Sequence, residues 1–490
     1  MTRLAHLVVR WGSTLASLYL GLFFWLDAGA RFTLGRIPPV ITWPVVAVTL
    51  ILALRLVRFH ERRDWALTLS TLSGLLVDWK PWLLGVLLLA GIALFSVRWH
   101  RKTHATILGR RLVVPWPVQL TVDERFLHLH VLGPTGSGKS SSVLMPLLAQ
   151  DLREDHALIL MEPKGDLAAE AYRQALHEER SVIWFDPLSP TCPHYNPLAG
   201  PEDIAAEGLA WALNQISEGG HPYYAVAARI QLLYAVRAIK NAYGETADLG
   251  SLLAFLRDEA GQKRLVRDSQ DEALIQYFEE QWSRRSGASR EDRQGLLNRL
   301  ELLFANPAVR RVLSSPNDFT WDEVLRDRWV VLCPLSLAQL GESARALGSL
   351  LWHGLAQAAY RRNPAAPNAP AFLYLDEFHQ WISEDLSDFL ALARGYSMGL
   401  ILAHQDMGQL SPALQEAVIA NARQRIILSG SAADDIARFQ RAAEPFPIKK
   451  PVRYLRRGHA MMQLTQHGRL TPPHIVRLAY HPLSEVHHGA

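Results

Sequence analysis

The chain has 490 residues, of which 49% are hydrophobic, so it is long enough for two or three domains with substantial cores and is not a disordered chain. Residues 1–111 hold 14 Lys and Arg against 4 Asp and Glu, a balance of +10, so the rest of this +4 chain carries −6. A uniformly basic soluble part is thereby excluded, and DNA contacts would have to come from local clusters or a channel lining. Its two cysteines are too few for a disulfide scaffold or a cysteine-rich metal site, which fits a reducing compartment.

Residues 1–111 are predicted to be a membrane anchor with two to four transmembrane helices. Three apolar runs approach membrane-spanning length, namely Trp11–Leu26, Ile37–Leu54 and Trp82–Val97, and a cleaved signal peptide would explain only the first. The densest basic clusters, at 55–63 and 98–102, should both lie on the cytoplasmic side. An even number of crossings then lies between them, which requires the weaker run Trp65–Val77 to cross; alternatively, this run lies flat or is re-entrant.

Beyond Arg111, short apolar runs alternate with amphipathic stretches, which predicts an α/β fold with a mostly parallel sheet. The predicted strands are Phe126–Leu132, Ala157–Met161, Ser181–Phe185, Trp329–Leu332, Ala371–Leu375, Leu400–Ala403 and Arg425–Leu428. Between residues 200 and 326 apolar residues recur at helical intervals instead, which predicts an all-α insertion. The predicted domains are the anchor 1–111, a nucleotide-binding domain in two parts, 112–199 and 327–460, the inserted domain 200–326, and a C-terminal tail 461–490.

The segment VLGPTGSGKSSSVLMPLLAQ contains a phosphate-binding loop with every position filled. Backbone N–H groups bind a phosphate chain, so glycines are needed where side chains would block its approach. Lys139 is predicted to bridge the outer phosphates of ATP and Ser140 to place its hydroxyl on Mg²⁺. The predicted nucleotide-binding residues are Gly133, Thr135, Gly136, Ser137, Gly138, Lys139, Ser140 and Ser141. The alternative is a glycine turn followed by a chance Lys-Ser pair.

The segment AFLYLDEFHQW is an apolar strand that ends in two adjacent acids. Asp376 is predicted to serve the Mg²⁺ side of the site, with Ser140, and Glu377 to polarise the attacking water. The alternative is a plain helix N-terminus, where the helix dipole favours acidic residues.

The segment ALARGYSMGLILAHQDMGQL places another strand after the acidic one. A neutral amide at the end of that strand, Gln405, can bond both the terminal phosphate and the water and so report the nucleotide state. Arg394 in the preceding turn is predicted to reach a neighbouring subunit's nucleotide as an arginine finger, which is worth several powers of ten in phosphoryl transfer. The alternatives are a surface glutamine and a surface arginine.

These residues resemble the type IV coupling proteins of conjugation and type IV secretion (TraG/TraD type), relatives of the RecA-like septal DNA translocases. The resemblance spans residues 112–440 and rests on GPTGSGK with Pro146 in the following helix, EPKGDL, FDPLSPTCPHYNPL, LYLDEF, and LARGYSMGLILAHQDMGQL running into NARQRIIL. The family usually has Asp at the position of Glu162 and Glu at that of Asp166. Neither residue is therefore given a catalytic role, while Lys164 is a candidate to lie near the phosphates.

The resemblance implies a RecA-like P-loop ATPase in a homo-hexameric ring, multi-pass in the bacterial inner membrane with its ATPase domain in the cytoplasm. Its implied substrates are single-stranded DNA with an attached relaxase, or effector proteins, passed to type IV secretion channel proteins. DNA would be held through its phosphates without sequence preference. The candidate basic clusters are Arg284 with Arg285, Arg310 with Arg311, and Lys449, Lys450, Arg453, Arg456 and Arg457; each is otherwise a solvated face.

Four other functions share features with this chain. A membrane AAA protease lacks its His-Glu-x-x-His motif here, and the signature of an ABC transporter is missing. A septal-type double-stranded DNA translocase shares the motor, but its linker and DNA-reading domain find no room after Arg457. A nucleotide-gated docking receptor without processive hydrolysis also fits the sequence, so the last two stay open as alternatives.

Overall fold

An eleven-stranded sheet organises the part of the chain that the computed structural model describes. The described residues are 105–111, 117–216, 222–283, 287–314, 316–382, 386–446 and 452–483. The strands are β1 Ala105–Arg111, β2 Pro117–Thr121, β3 Leu129–Leu132, β4 Ala157–Glu162, β5 Val182–Trp184, β6 Val330–Pro334, β7 Ala371–Asp376, β8 Met398–His404, β9 Gln424–Leu428, β10 His459–Gln463, β11 Thr465–Gln466, β12 Arg469–Leu470 and β13 His474–Arg477. Their order in the sheet is β2-β1-β13-β10-β9-β3-β8-β7-β4-β6-β5, and β11 pairs with β12 as a separate hairpin.

The seven strands from β9 to β5 in the sheet order are parallel, and they are the seven strands that the sequence predicts. Their side chains alternate between two cores: Leu158 and Leu160 of β4 face one core, and Ile159 and Met161 face the other. Because both faces are covered, these strands are almost continuously apolar. The predicted α/β fold with a mostly parallel sheet is thus confirmed.

The remaining four strands, β10, β13, β1 and β2, extend the sheet in antiparallel pairs. Two of them fall wholly outside the predicted nucleotide-binding domain, and β10 extends past its limit at residue 460. Ala105–Arg111 lies within the predicted anchor and His474–Arg477 within the predicted tail, yet the two strands pair with each other. The sheet therefore reaches beyond the predicted limits of 112 and 460 at both ends.

Helices cover both faces of the sheet and fill the interval between β5 and β6. The helices around the sheet are α1 Val122–Arg125, α2 Met145–Asp151, α3 Asp166–His177, α12 Leu337–Leu340, α13 Glu342–Arg361, α14 Leu386–Leu392, α15 Pro412–Asn421 and α16 Ala433–Ala442. Those between β5 and β6 are α4 Glu202–Ile216, α5 Pro222–Tyr243, α6 Leu249–Arg257, α7 Glu259–Asp268, α8 Glu272–Ser283, α9 Gly287–Ala305, α10 Pro307–Leu313 and α11 Trp321–Asp327.

The helices between β5 and β6 begin and end at recognisable signals. Asn306 caps α10, whose first residue is a proline, and Thr320 forms a capping box with Glu323 at the start of α11. The helical layer packs on the sheet through the contact of α4 with α13, where Gly208 lies directly against the ring of His353. The boundaries 200 and 326 stay predictions, although this interval of the described chain is helical.

The predicted transmembrane runs fall in residues 1–104, outside the described residues. Among the residues that are described, none of the helices has both the length and the apolar character that crossing a membrane requires.

Candidate nucleotide site

The predicted phosphate-binding loop connects β3 to the helical turn that begins at Ser140. Two glycines give the loop its shape, since Gly136 and Gly138 have φ of 77° and 97°, values that side chains disfavour. At Gly133 a Cβ atom would lie 2.8 Å from Leu428 Cβ, so the strand packing excludes any larger residue there. The three glycines of the predicted loop therefore have separate physical reasons for their positions.

Lys139 and the acidic pair meet at one edge of the sheet. Strands β3, β8 and β7 are parallel neighbours, so their carboxyl-terminal ends lie together. Lys139 Nζ donates a hydrogen bond to the Gly133 carbonyl at 2.7 Å and lies 3.7 Å from Glu377 Oε1. The two side chains are only 8% and 12% exposed. The parallel sheet has brought together residues that are far apart in sequence.

Gln405 connects the acidic residue to the loop. Its Nε2 donates to Glu377 Oε1 at 3.1 Å, and its Oε1 accepts from the Thr135 hydroxyl at 2.9 Å. An amide that donates on one side and accepts on the other fits both partners in one orientation only. A change at the loop can therefore pass through Gln405 to Glu377 by two hydrogen bonds.

The backbone conformation of Glu377 and the burial of one of its oxygens both disfavour the folded state. The residue has φ 50° and ψ 49°, the left-handed region that a non-glycine residue seldom occupies. Its Oε2 is buried with no hydrogen-bond partner in the described structure, and the same holds for Ser137 Oγ in the loop. A buried polar atom without a partner costs about 1–3 kcal/mol. Both atoms lie in the predicted phosphate and water site, where a hydrated ligand would supply partners.

The electrostatics of the site come from several charges that share little solvent. Burial, followed by the neighbouring charge of Glu377, raises the pKa of Asp376 to about 6, although Lys139 and Lys164 act in the opposite direction. Burial likewise lowers the pKa of Lys139, and the charges of Glu377 and Asp376 limit that decrease. A polyanion bound with its cation would change this balance strongly, because the groups are poorly screened.

Glu162 belongs to this site although the sequence gives it no catalytic role. It ends β4, next to β7, and is 2% exposed. Its Oε1 accepts from the backbone N–H of Ala168 at 2.8 Å, so it caps the start of α3. Burial raises the pKa of Glu162 to about 7, and the charge of Asp376 contributes to the increase. Only the sheet order, which places β4 beside β7, could have indicated this proximity.

A pair of buried histidines connects β3 to the end of β8 beside the loop, and the sequence does not indicate it. His130 Nε2 and His404 Nε2 are 2.7 Å apart, and His404 Nδ1 lies 2.9 Å from the carbonyl oxygen of Asp406. His404 Nδ1–H therefore donates to that carbonyl, and His404 Nε2 accepts from His130. Since the His404 carbonyl also accepts from the N–H of Gly133 at 3.3 Å, the pair links the end of β8 to the loop.

Arg394 is not brought to the site. It is exposed in a short 3-10 turn, Ala393–Tyr396, which precedes β8, whereas the loop lies at the other end of that strand beside His404. The seven residues of β8 span roughly 20 Å. Arg394 therefore does not contact the loop of its own chain, and its role toward a neighbouring subunit stays a prediction.

The candidate DNA-binding clusters differ in whether their basic residues are described, paired or exposed. Arg284, Arg285, Lys449 and Lys450 lie outside the described residues. Arg311 donates to the backbone carbonyls of Pro187 and Ser189, and Arg310 to that of Phe304, so both guanidinium groups have structural partners. Exposed guanidinium groups stand on Arg453, Arg456 and Arg457.

Solved structures with a similar fold include the plasmid coupling protein TrwB and VirB4. The plasmid coupling protein TrwB, in complex with a non-hydrolysable ATP analogue, matches with a TM-score of 0.58 at 15% identity over 75% of this chain and 88% of that chain. TrwB in complex with ADP and Mg²⁺ gives 0.56 at 16% identity, with 75% and 88% covered. VirB4 of Thermoanaerobacter pseudethanolicus gives 0.51 at 14% identity, with 78% and 97% covered. At these identities the likeness shows the fold alone, and no curated relative matches the sequence.

The sequence profile of one protein family covers most of the chain. It is described as type IV secretory system conjugative DNA transfer and matches residues 100–433. The match includes the phosphate-binding loop, the helices between β5 and β6, the acidic pair and Gln405. The chain belongs to the type IV secretory system conjugative DNA transfer family.

Proposed function

We propose that this protein is a membrane-anchored ATPase that recruits DNA or protein substrates and drives them into a type IV secretion or conjugation channel. The observation that carries the proposal is the meeting of Lys139, Glu377 and Gln405 around the loop. Family membership and a TrwB-like fold support it, and TrwB itself binds an ATP analogue and ADP with Mg²⁺.

The residues present fit a nucleoside triphosphate with its metal. The left-handed glycines shape the loop so that its N–H groups can bind phosphates, and Lys139 is placed to reach the outer ones. Ser140 and Asp376 would hold Mg²⁺, which supplies neutralisation of the phosphate charge. The buried hydroxyl of Ser137, which has no partner in the described structure, provides one more donor for the ligand.

Glu377 is the group that we assign to the attacking water. One of its oxygens is held by Lys139 and Gln405. Oε2 has no hydrogen-bond partner among the described residues, although His379 Nδ1 lies 3.9 Å away, and it can accept the water's proton. Gln405 reads the loop through Thr135 and would transmit nucleotide state to Glu377. Hydrolysis can thereby be coupled to a movement of β8.

The family and the sequence pattern support a proposal for the wider assembly. We infer an inner-membrane anchor in residues 1–111, a homo-hexameric ring with Arg394 directed to the neighbouring subunit, and a channel that passes single-stranded DNA with its relaxase or passes effector proteins. Arg453, Arg456 and Arg457 are candidates for sequence-independent phosphate contacts, because they are exposed.

The decisive experiment replaces Glu377 by Gln in the full chain. The substitution keeps the size and the bond to Gln405 but removes the base, so ATP turnover should fall by about 10² to 10⁴-fold. Substrate transfer between cells should fall with it. ATP hydrolysis by the purified protein and transfer by the cells are measured side by side.

The matched control is Glu301→Gln, because Glu301 is an exposed residue of α9 that pairs with Arg257. It should leave both readouts unchanged. Transfer that persists in the Glu377→Gln variant while turnover is lost would show a nucleotide-gated docking receptor instead of a motor. Co-purification of a relaxase with single-stranded DNA, against duplex DNA alone, separates the conjugative assignment from a double-stranded DNA translocase.

A further inference from the structure

The chain returns to the phosphate-binding loop after the last strand of the sheet. We call residues 478–483 the C-terminal strap. The backbone N–H of His481, within the strap, donates a hydrogen bond to the carbonyl of Ser141 at 2.9 Å. Ser141 is the last residue of the predicted phosphate-binding set, so the strap touches the site from outside the sheet domain predicted from the sequence.

The Ser141 carbonyl is available because of Pro146. The loop helix opens with a π-turn, Ser140–Leu144, in which carbonyls accept from the residue five positions on, as Met145 N–H does toward Ser140. The same pattern would pair Ser141 with residue 146, but a proline has no N–H. The strap supplies the missing donor, so the helix start is built to receive a second segment.

The strap is held at both ends and exposed in the middle. Leu478 N–H donates to the carbonyl of Gly458 at 2.8 Å, and Leu483 packs against the core on that face of the sheet. Between them Tyr480 is 70% exposed, one of the most exposed large side chains in the described structure. An exposed aromatic ring on a tethered backbone can stack on a planar ligand.

The position of the strap identifies that ligand. In a phosphate-binding loop the Lys and Ser reach the outer phosphates and the metal, while backbone N–H groups, which continue from the loop into the start of the helix, bind the inner phosphates. The nucleoside therefore leaves the loop next to Ser141, beside the strap. We propose that the C-terminal strap forms the base subsite of the nucleotide site and that the Tyr480 ring stacks on the base.

The proposal rests on the proposed function and adds the part of the site that recognises the nucleoside. A stacking ring contacts the face of a base and makes no hydrogen bond to the groups on its edge, so it does not distinguish one purine from another. Tyr480 should thus strengthen the binding of ATP and GTP by similar factors. It should contribute nothing to a ligand that has phosphates but no base.

The test compares ATP, GTP and inorganic tripolyphosphate as ligands of the full chain in detergent with Mg²⁺. Tyr480→Ala should weaken ATP and GTP binding by about tenfold, the effect typical of losing one base–aromatic stack, and leave tripolyphosphate binding unchanged. Tyr480→Phe keeps the ring and should bind as wild type does. Tyr243→Ala, at an exposed position at the end of α5, is the control for loss of a surface tyrosine.

The outcomes separate the two proposals. If wild type binds neither ATP nor tripolyphosphate, the proposed nucleotide site is wrong and the base subsite goes with it. If wild type binds ATP well and Tyr480→Ala binds it equally well, only the base subsite is overturned. Equal weakening of ATP and tripolyphosphate binding by Tyr480→Ala would also overturn it, because that change would come from the loop.

Discussion

Two groups of buried charges on this sheet differ in how completely they are paired. Arg125 and Asp151, 5% and 1% exposed, form a double hydrogen bond in which Nη2 lies 2.6 Å from Oδ2. The hydroxyls of Thr106 and Tyr374 complete the network, and the guanidinium lies 3.6 Å from the centre of the Phe372 ring. Both carboxylate oxygens, both terminal guanidinium nitrogens and both hydroxyls of this group therefore have a partner within the protein.

The second group, around Lys139 and Glu377, is buried to a similar degree but is incompletely paired. Lys139 Nζ and Glu377 Oε1 are 3.7 Å apart, and Glu377 Oε2 and Ser137 Oγ have no hydrogen-bond partner in the described structure. A fully satisfied network stabilises one arrangement, whereas incomplete pairing at an open edge leaves capacity for a ligand. The difference separates a structural ion pair from a functional one, although both consist of one cation and one carboxylate.

The largest effect is expected when one partner of the Arg125–Asp151 ion pair is removed. Asp151→Ala leaves the charge of Arg125 buried without a partner, which should lower the free energy of unfolding by about 3–5 kcal/mol. Urea unfolding of the full chain, followed by tryptophan fluorescence, measures the change. The nucleotide affinity of the protein that remains folded should be unaltered, because the network does not contact the loop.

A double variant serves as the control for that prediction. Arg125→Met with Asp151→Leu removes both charges and fills the space with apolar groups, so much of the lost stability should return. If the double variant is as unstable as Asp151→Ala alone, packing and not the unpaired charge causes the loss. The ion-pair interpretation would then be wrong.

The buried pair His130 and His404 gives a second test, because its hydrogen bond joins two neutral rings and a charge on either ring would disfavour the folded state. Burial, followed by the charge of Arg425, lowers the pKa of His130 to about 3, and burial lowers the pKa of His404 well below its usual range. At a pH between the pKa of the folded state and that of the unfolded state, the unfolded chain binds more protons than the folded one. The contribution of the pair to the free energy of unfolding is therefore highest above about pH 6.5 and decreases as the pH falls. At pH 5 the loss for His130 should be about 2 kcal/mol.

The measurement has to be a difference between variants, since Glu162 and Asp376 have raised pKa values and change stability in the opposite direction over the same range. His130→Gln with His404→Gln removes the titration and keeps a polar pair. Its unfolding free energy relative to wild type should improve by about 2 kcal/mol or more between pH 8 and pH 5. His467→Gln, whose side chain is 87% exposed, should show no such trend.

The sequence predicted the parallel strands because burial on both faces makes them continuous apolar runs. The antiparallel strands carry no such signal. β1 includes two exposed arginines and a glycine pressed against Val476, β2 begins with a proline, and β13 has four residues with one fully buried. β1 and β13 pair with each other although more than 300 residues separate them, so periodicity within each segment could not reveal their pairing.

The candidate site divides in the same way. Some of its residues lie at the ends of strands, namely the loop, Asp376, Glu377 and Gln405. An apolar strand followed by polar residues can be recognised in the sequence, so these residues could be predicted. The contribution of Glu162 depends on β4 lying beside β7, and the strap depends on one backbone hydrogen bond to Ser141. Backbone donors leave no mark in the residue types, so only the structure could show that Pro146 and His481 belong together.

The smallest expected effect is on stability, and it tests whether Glu377 is kept for a ligand and not for the fold. Glu377→Gly relieves a left-handed backbone and removes a buried oxygen without a partner, so it should raise the free energy of unfolding by about 1 kcal/mol while turnover is lost. His467→Gly is the matched control, because His467 has φ 51° but an exposed side chain. The two variants relieve similar backbone strain, and any further gain at Glu377 comes from the buried carboxylate. A loss as large as that of Asp151→Ala would mean that Lys139 and Glu377 form a structural pair, since a group kept for a ligand should cost the fold stability.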